Sequence, residues 1–123
     1  MTTKKVLVVE DIEFYRTVLH KVLAKKGLEI IKAEDGGVAV ELFQQHEPDV
    51  VLMDVMLPTV DGFEATQKIR QLDNGAQVPI IFMTALFQEA DIEEAYAVGA
   101  SDYITKPLDM DILFEKLKVL NII

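Results

Sequence analysis

The sequence contains no cysteine, and its 12 lysines and arginines are outnumbered by 21 aspartates and glutamates. Without cysteine there is no disulfide, no thiolate nucleophile and no cysteine-ligated zinc. A net charge of −9 argues against a binder of duplex DNA or RNA, which needs a basic stripe to displace counterions. It argues equally against docking on anionic lipid. Long apolar runs are missing as well. Near the start, only Val6 to Val9 are apolar before Glu10 and Asp11 intervene, too few for a membrane span or a signal-peptide core. No Ser/Gly/Pro-rich linker or low-complexity tract interrupts the chain, so no internal domain boundary is expected. What is present is 123 residues, half of them hydrophobic, enough to bury a core without staples. The expectation is one acidic, soluble, cytoplasmic domain over residues 1–123, with no output domain and no membrane insertion.

The charge is uneven. Residues 1–33 carry seven bases and four acids, net +3; residues 34–87 are net −7 and residues 88–123 net −5.

Short apolar runs recur at Val6–Val9, Glu29–Ile31, Val50–Met53, Ile80–Met83 and Tyr103–Ile104. Three of them are continuous and rich in β-branched residues, the pattern of strands covered on both faces. Helical spacing fills the intervals 12–26, 36–46, 62–72, 88–98 and 109–120. In the first, Phe14, Val18, Leu19, Val22 and Leu23 form one stripe, and Gly27 sits where a C-cap glycine belongs. Phe63, Thr66, Ile69 and Arg70 mark the third less cleanly, Ile92, Ala95 and Tyr96 the fourth, and Ile112, Leu113, Leu117 and Leu120 the fifth, with Asp109 as its N-cap. Five βα units predict a doubly wound parallel sheet with helices on both faces, joined by right-handed crossovers.

In such a sheet, ligands bind beyond the carboxyl ends of the strands. The first strand ends in Glu10-Asp11, the third in Asp54 and the fourth in Thr84-Ala85; Thr105-Lys106-Pro107 follows the fifth. Each charge alone is an ordinary solvated strand end. Together they bring three carboxylates, a hydroxyl and an ammonium to one edge. Carboxylates packed together repel and call for a cation. Oxygen ligands without His or Cys suit Mg²⁺ or Ca²⁺ rather than zinc. A lysine across such a site pairs with phosphate, and a threonine hydroxyl can donate to a phosphoryl oxygen. The set describes a phosphoryl site in which an aspartate can serve as nucleophile.

These residues lie in Val8-Val9-Glu10-Asp11, Val51-Leu52-Met53-Asp54-Val55-Met56-Leu57-Pro58-Thr59-Val60-Asp61-Gly62, Met83-Thr84-Ala85, Gly99-Ala100-Ser101-Asp102-Tyr103 and Thr105-Lys106-Pro107-Leu108. The ordered set resembles the response-regulator receiver domains of two-component signalling, across essentially the whole chain. The resemblance implies a flavodoxin-like (βα)5 fold with strand order 2-1-3-4-5. It implies Asp54 as phosphoacceptor and Mg²⁺ held by Asp11 directly, by Glu10 through water, by Asp54, and by the backbone carbonyl of Met56. It implies that Thr84 and Lys106 bind the phosphoryl group, that the Lys106–Pro107 bond is cis, and that Tyr103 turns inward as Thr84 moves and the 84–89 loop shifts. The donor would be a sensor histidine kinase or a phosphotransfer protein. The output would be a face of the fourth helix, fifth strand and fifth helix meeting a downstream protein or output domain. Apart from taking up and losing its own phosphoryl group, such a domain is not an enzyme.

Other roles stay open beside these. Tyr103 alone also reads as a core tyrosine. His20 and His46 read as surface or boundary residues, and Met53, Met56 and Met83 as packing. Two other functions fit the same residues: a small Mg²⁺-dependent phosphatase working through an aspartyl phosphate, and an interaction module indifferent to phosphorylation. Against the first, position 56 is methionine rather than a second acid. The charge pattern adds one expectation, that the acidic fourth helix meets a basic partner while the basic first helix meets an acidic phosphodonor surface.

Overall fold

A computed structural model describes residues 3–85 and 88–123. Ten elements alternate along it: β1 (Lys5–Val9), α1 (Glu13–Ala24), β2 (Glu29–Ala33), α2 (Gly36–His46), β3 (Val50–Met53), α3 (Gly62–Arg70), β4 (Ile80–Thr84), α4 (Glu89–Val98), β5 (Asp102–Thr105) and α5 (Met110–Val119). The five strands form one parallel sheet in the order β2-β1-β3-β4-β5, as expected.

Alternation along the strands divides the core in two. Leu7, Val9, Val51, Met53, Ile80 and Phe82 pack against Phe43, Ala65, Ile69 and Ala95 of α2, α3 and α4. Val6, Val8, Val50, Leu52, Ile81, Met83 and Ile104 pack against Leu19, Leu23, Leu113 and Leu117 of α1 and α5. β3 is therefore apolar throughout, and β1 and β4 are apolar except for Lys5 at the start of β1 and Thr84 at the end of β4, because both faces are covered.

Polar residues set the helix starts. Asp35 accepts from the Val38 amide at 2.8 Å, Asp61 from Glu64 at 2.9 Å, and Asp109 from Asp111 at 2.9 Å. Each satisfies an amide that the first helical turn leaves without a partner.

Several expectations need correction. The stripe on α1 is wider than the sheet can cover: Leu19 and Leu23 are buried, but Phe14 is 68% and Val18 38% exposed. Tyr96 and Ile112 are likewise exposed on α4 and α5, and Met56 lies outside the core, 62% exposed. Gly27 is not the cap of α1. The helix ends at Ala24, and Gly27 closes the following turn with φ +84°, a conformation that suits glycine. Arg70 does not join the apolar face of α3. Its guanidinium ties the C-terminus of that helix to the Gly99 carbonyl at 2.7 Å and the Val78 carbonyl at 2.6 Å.

Candidate functional site: a carboxylate cluster at the carboxyl edge

Sheet register assembles the site. β1 and β3 are neighbours with Val9 opposite Met53, so Glu10 and Asp54 leave the sheet at the same level. The Asp54 amide still donates to the Val9 carbonyl at 3.0 Å, and the Glu10 amide to Ala33 at 3.0 Å. At the other side, Thr84 of β4 stands opposite Thr105 of β5, and the Lys106 amide donates to the Thr84 carbonyl at 2.8 Å. Strand alternation continued by one residue places Glu10, Asp54 and Lys106 on the side of α1 and α5. Thr84 and Tyr103 have the opposite parity, shared with Phe82, on the side of α4.

Distances agree with that parity. The Lys106 ammonium donates to Glu10 Oε2 at 3.0 Å and to Asp54 Oδ2 at 3.2 Å. Carboxylate oxygens of Glu10, Asp11 and Asp54 lie within 4.8 Å of one another. Glu10 is fully buried, Asp54 is 5% exposed and Asp11 is open to solvent. A cleft of about 540 Å³ opens above them, bordered by Asp11, Asp54, Met56, Ala85, Lys106 and Tyr15.

Burial and the neighbouring Asp54 charge push the Glu10 carboxyl up to about 7, against the opposing pull of Lys106. Lys106 is held above its ordinary value. Burial alone would lower it, but its bond to Glu10 and the charge of Asp54 outweigh that. One ammonium thus does not fully compensate the carboxylates. Glu10 Oε1 is also buried with no hydrogen-bond partner. An orphaned buried oxygen beside two further carboxylates is the donor set a hard divalent cation takes, so these residues fit such an ion.

The backbone shapes the approach to Asp54. Gly62, the first residue of α3, donates to the Val55 carbonyl at 2.9 Å, and a Cβ there would overlap the Asp54 carbonyl. The Met56 amide lies 3.4 Å from Asp54 Oδ1. The Lys106–Pro107 bond is cis, as expected.

Two further expected residues, Thr84 and Tyr103, lie on the neighbouring strands β4 and β5. Thr84 is fully buried at the end of β4. Tyr103 is partly buried against the α2–α4 side of the core, and its hydroxyl is enclosed without a hydrogen-bond partner. Burial and the nearby Asp91 charge raise its phenol. The expected shift of the 84–89 loop falls partly on residues 86 and 87, which lie outside the described residues. His20 and His46 are partly exposed, in keeping with boundary roles.

Two residues escaped the sequence reading. The Arg16 guanidinium donates to the Glu10 carbonyl at 2.8 Å and the Asp11 carbonyl at 2.9 Å, bracing the acidic turn. The Tyr15 ring stands 5.0 Å from the Lys106 ammonium. Their only signal was position: four and five residues after Asp11, at the start of a helix whose first turn adjoins the strand end.

Residues 6–118 match the family model described as the response regulator receiver domain. The chain is 39% identical over 119 residues to the chemotaxis protein CheY of Bacillus subtilis, covering 95% of this chain and 98% of that protein. The fold matches the chemotaxis protein CheY4 of Vibrio cholerae with a TM-score of 0.92 and 29% identity, over 97% of this chain and 99% of the other. It also matches the receiver domain of a Pseudomonas aeruginosa sensor histidine kinase, with a TM-score of 0.89, 34% identity, and 97% and 98% coverage. In that structure a magnesium ion is coordinated in the active-site cleft.

Proposed function

This chain belongs to the response regulator receiver domains of two-component systems, and we propose that Asp54 is the residue through which it acts as a phosphoacceptor switch. The observation that carries the assignment is the convergence of Lys106 on Asp54 and Glu10, at 3.2 and 3.0 Å, beside a buried carboxylate oxygen without a partner.

Glu10, Asp11 and Asp54, with the Met56 backbone carbonyl, would hold Mg²⁺. Bound there, the ion would offset the carboxylate charge and neutralise phosphoryl oxygens. An Asp54 carboxylate oxygen attacks phosphorus in line with the leaving group of the donor. The Lys106 ammonium exchanges a carboxylate for a phosphoryl oxygen, and the Thr84 hydroxyl donates a further bond. Catalysis of this kind rests on positioning and charge neutralisation, which a rigid strand-end cluster supplies. The domain turns over only its own phosphoryl group. Position 56 offers no second acid, being a largely exposed methionine at the border of the cleft.

Movement of Thr84 toward the phosphoryl group frees space on the α4 side of the sheet, where Tyr103 lies, and biases the α4–β5–α5 face for a partner. That face is acidic: α4 carries Glu89, Asp91, Glu93 and Glu94 and no base. A basic partner surface suits it. The phosphodonor is a histidine kinase or a phosphotransfer protein, meeting the chain near α1. The compartment is the cytoplasm, and among the described residues no helix is long and apolar enough to cross a membrane.

The test is intact-mass analysis after incubation with phosphoramidate and Mg²⁺. The wild-type chain gains one phosphoryl group and Asp54→Asn gains none. Equal labelling of both would overturn the assignment.

A further inference from the structure

The Lys106 ammonium is held from three directions. Two are the carboxylates of Glu10 and Asp54. The third is the face of Tyr15, whose ring centroid lies 5.0 Å from Nζ, within range of an attractive cation–π contact. Tyr15 stands on the first turn of α1 and is 43% exposed. An edge-on contact with Phe14, at 5.5 Å between centroids and 76° between planes, supports its ring.

Tyr15 also divides two hollows. On one side is the cleft above Asp54. On the other is an apolar groove of about 280 Å³ between α1 and the β5–α5 turn, bordered by Phe14, Val18, Leu108 and Met110. Tyr15, Lys106 and Pro107 border both. Lysine is a long side chain with a strongly hydrated head, and fixing it costs rotamer entropy. A neighbouring carboxylate would fix it by forming a bond that must later break. An aromatic face attracts the ammonium without accepting a full hydrogen bond, so it adds restraint to Lys106 beyond its bonds to Glu10 and Asp54 without engaging a further N–H.

We propose that Tyr15 is a positioning residue for phosphoryl uptake, its ring holding the Lys106 ammonium over the cleft and yielding it to the entering phosphoryl oxygens. The inference rests on Asp54 being the phosphoacceptor. With phosphoramidate as donor, an Asp54 oxygen supplies the electron pair of the new O–P bond. The P–N bond breaks and its pair leaves with nitrogen as ammonia. Lys106 meets the phosphoryl oxygens during that displacement, and Tyr15 touches neither reactant.

Tyr15→Leu keeps an apolar side chain at a half-exposed position and removes the π face; Tyr15→Phe keeps the face. Two measurements separate the roles. The first is the NMR shift of the Lys106 side-chain protons nearest nitrogen, recorded without metal. They are displaced by the ring in wild type and in Tyr15→Phe, and return to ordinary lysine values in Tyr15→Leu. The second is the rate of phosphoryl uptake from phosphoramidate with Mg²⁺. It falls about two- to five-fold in Tyr15→Leu, as a partly exposed cation–π contact implies, and Tyr15→Phe recovers most of the loss. Equal rates in wild type and Tyr15→Leu, or equal losses in both variants, overturn the inference, as does a Lys106 shift indifferent to Tyr15→Leu. A wild-type chain that takes up no phosphoryl group removes the Asp54 assignment and this inference together. Equal rates in chains that are phosphorylated remove the inference alone.

Discussion

Replacing Glu10 by glutamine removes one negative charge from a fully buried site and keeps the side chain's size and shape. The Glu10 carboxyl stands at about 7 in the folded chain against an ordinary 4.5. Folded chains therefore hold this proton more tightly than unfolded ones, and stability from this group is fully present below about pH 4.5. It is lost as pH rises toward and through about 7, opposite to the behaviour of a salt-bridged carboxylate. At 1.36 kcal/mol per pH unit, ionised Glu10 costs up to roughly 3 kcal/mol above pH 7. Glutamine mimics the protonated form and escapes that cost. Urea denaturation with EDTA present should show Glu10→Gln gaining on wild type by roughly 2 kcal/mol more at pH 8 than at pH 5. Titrations of groups remote from the cluster are common to both proteins and cancel in the difference. Millimolar Mg²⁺ at pH 8 should stabilise wild type more than the variant and narrow the gap, because the ion supplies the missing positive charge only where the third carboxylate remains. A stability difference independent of pH, or a variant less stable at pH 8 than wild type, would refute the account of charge in the cluster.

Gly62→Ala drives a methyl group into the Asp54 carbonyl and to 2.8 Å from the Val55 Cα. It should cost about 1–3 kcal/mol in chemical denaturation, the range for overpacking, and should slow phosphoryl uptake by displacing Asp54. Wild-type uptake by this variant would mean that the loop after β3 does not depend on that close approach. Tyr103→Phe deletes a hydroxyl that is buried without a partner. It should leave stability unchanged or raise it by about 1 kcal/mol, since the unsatisfied group is removed with little loss of volume. A clear loss of stability on denaturation would show that the hydroxyl has a partner in solution.

The sheet was legible because strands covered on both faces carry apolar residues without alternation, as Val6–Val9, Val50–Met53 and Ile80–Met83 do. Once those runs were placed, the residues that follow them had to share one edge, and Glu10, Asp54 and Lys106 do meet there. What the pattern did not reveal depends on how helices rotate against the sheet. The α1 stripe names five apolar residues, but only the sheet's width determines that Leu19 and Leu23 are covered while Phe14 and Val18 face solvent. That same rotation brings Tyr15 over Lys106, a contact across the length of the chain that no local spacing encodes, while Arg16 reaches back under the nearby acidic turn. Nor did the sequence show on which carboxylates the Lys106 ammonium rests. The answer, on Glu10 as well as Asp54, follows from strand parity that only the register reveals.

The central claim is that Asp54 becomes an acyl phosphate, and borohydride reduction tests it most directly. Hydride converts an aspartyl phosphate to homoserine and leaves free carboxylates untouched, so the product marks the residue that was modified. After incubation with phosphoramidate and Mg²⁺, reduction and peptide mass analysis, the account predicts homoserine in place of aspartate at position 54. Homoserine at another aspartate, or its absence from a chain that has gained a phosphoryl group, would contradict it.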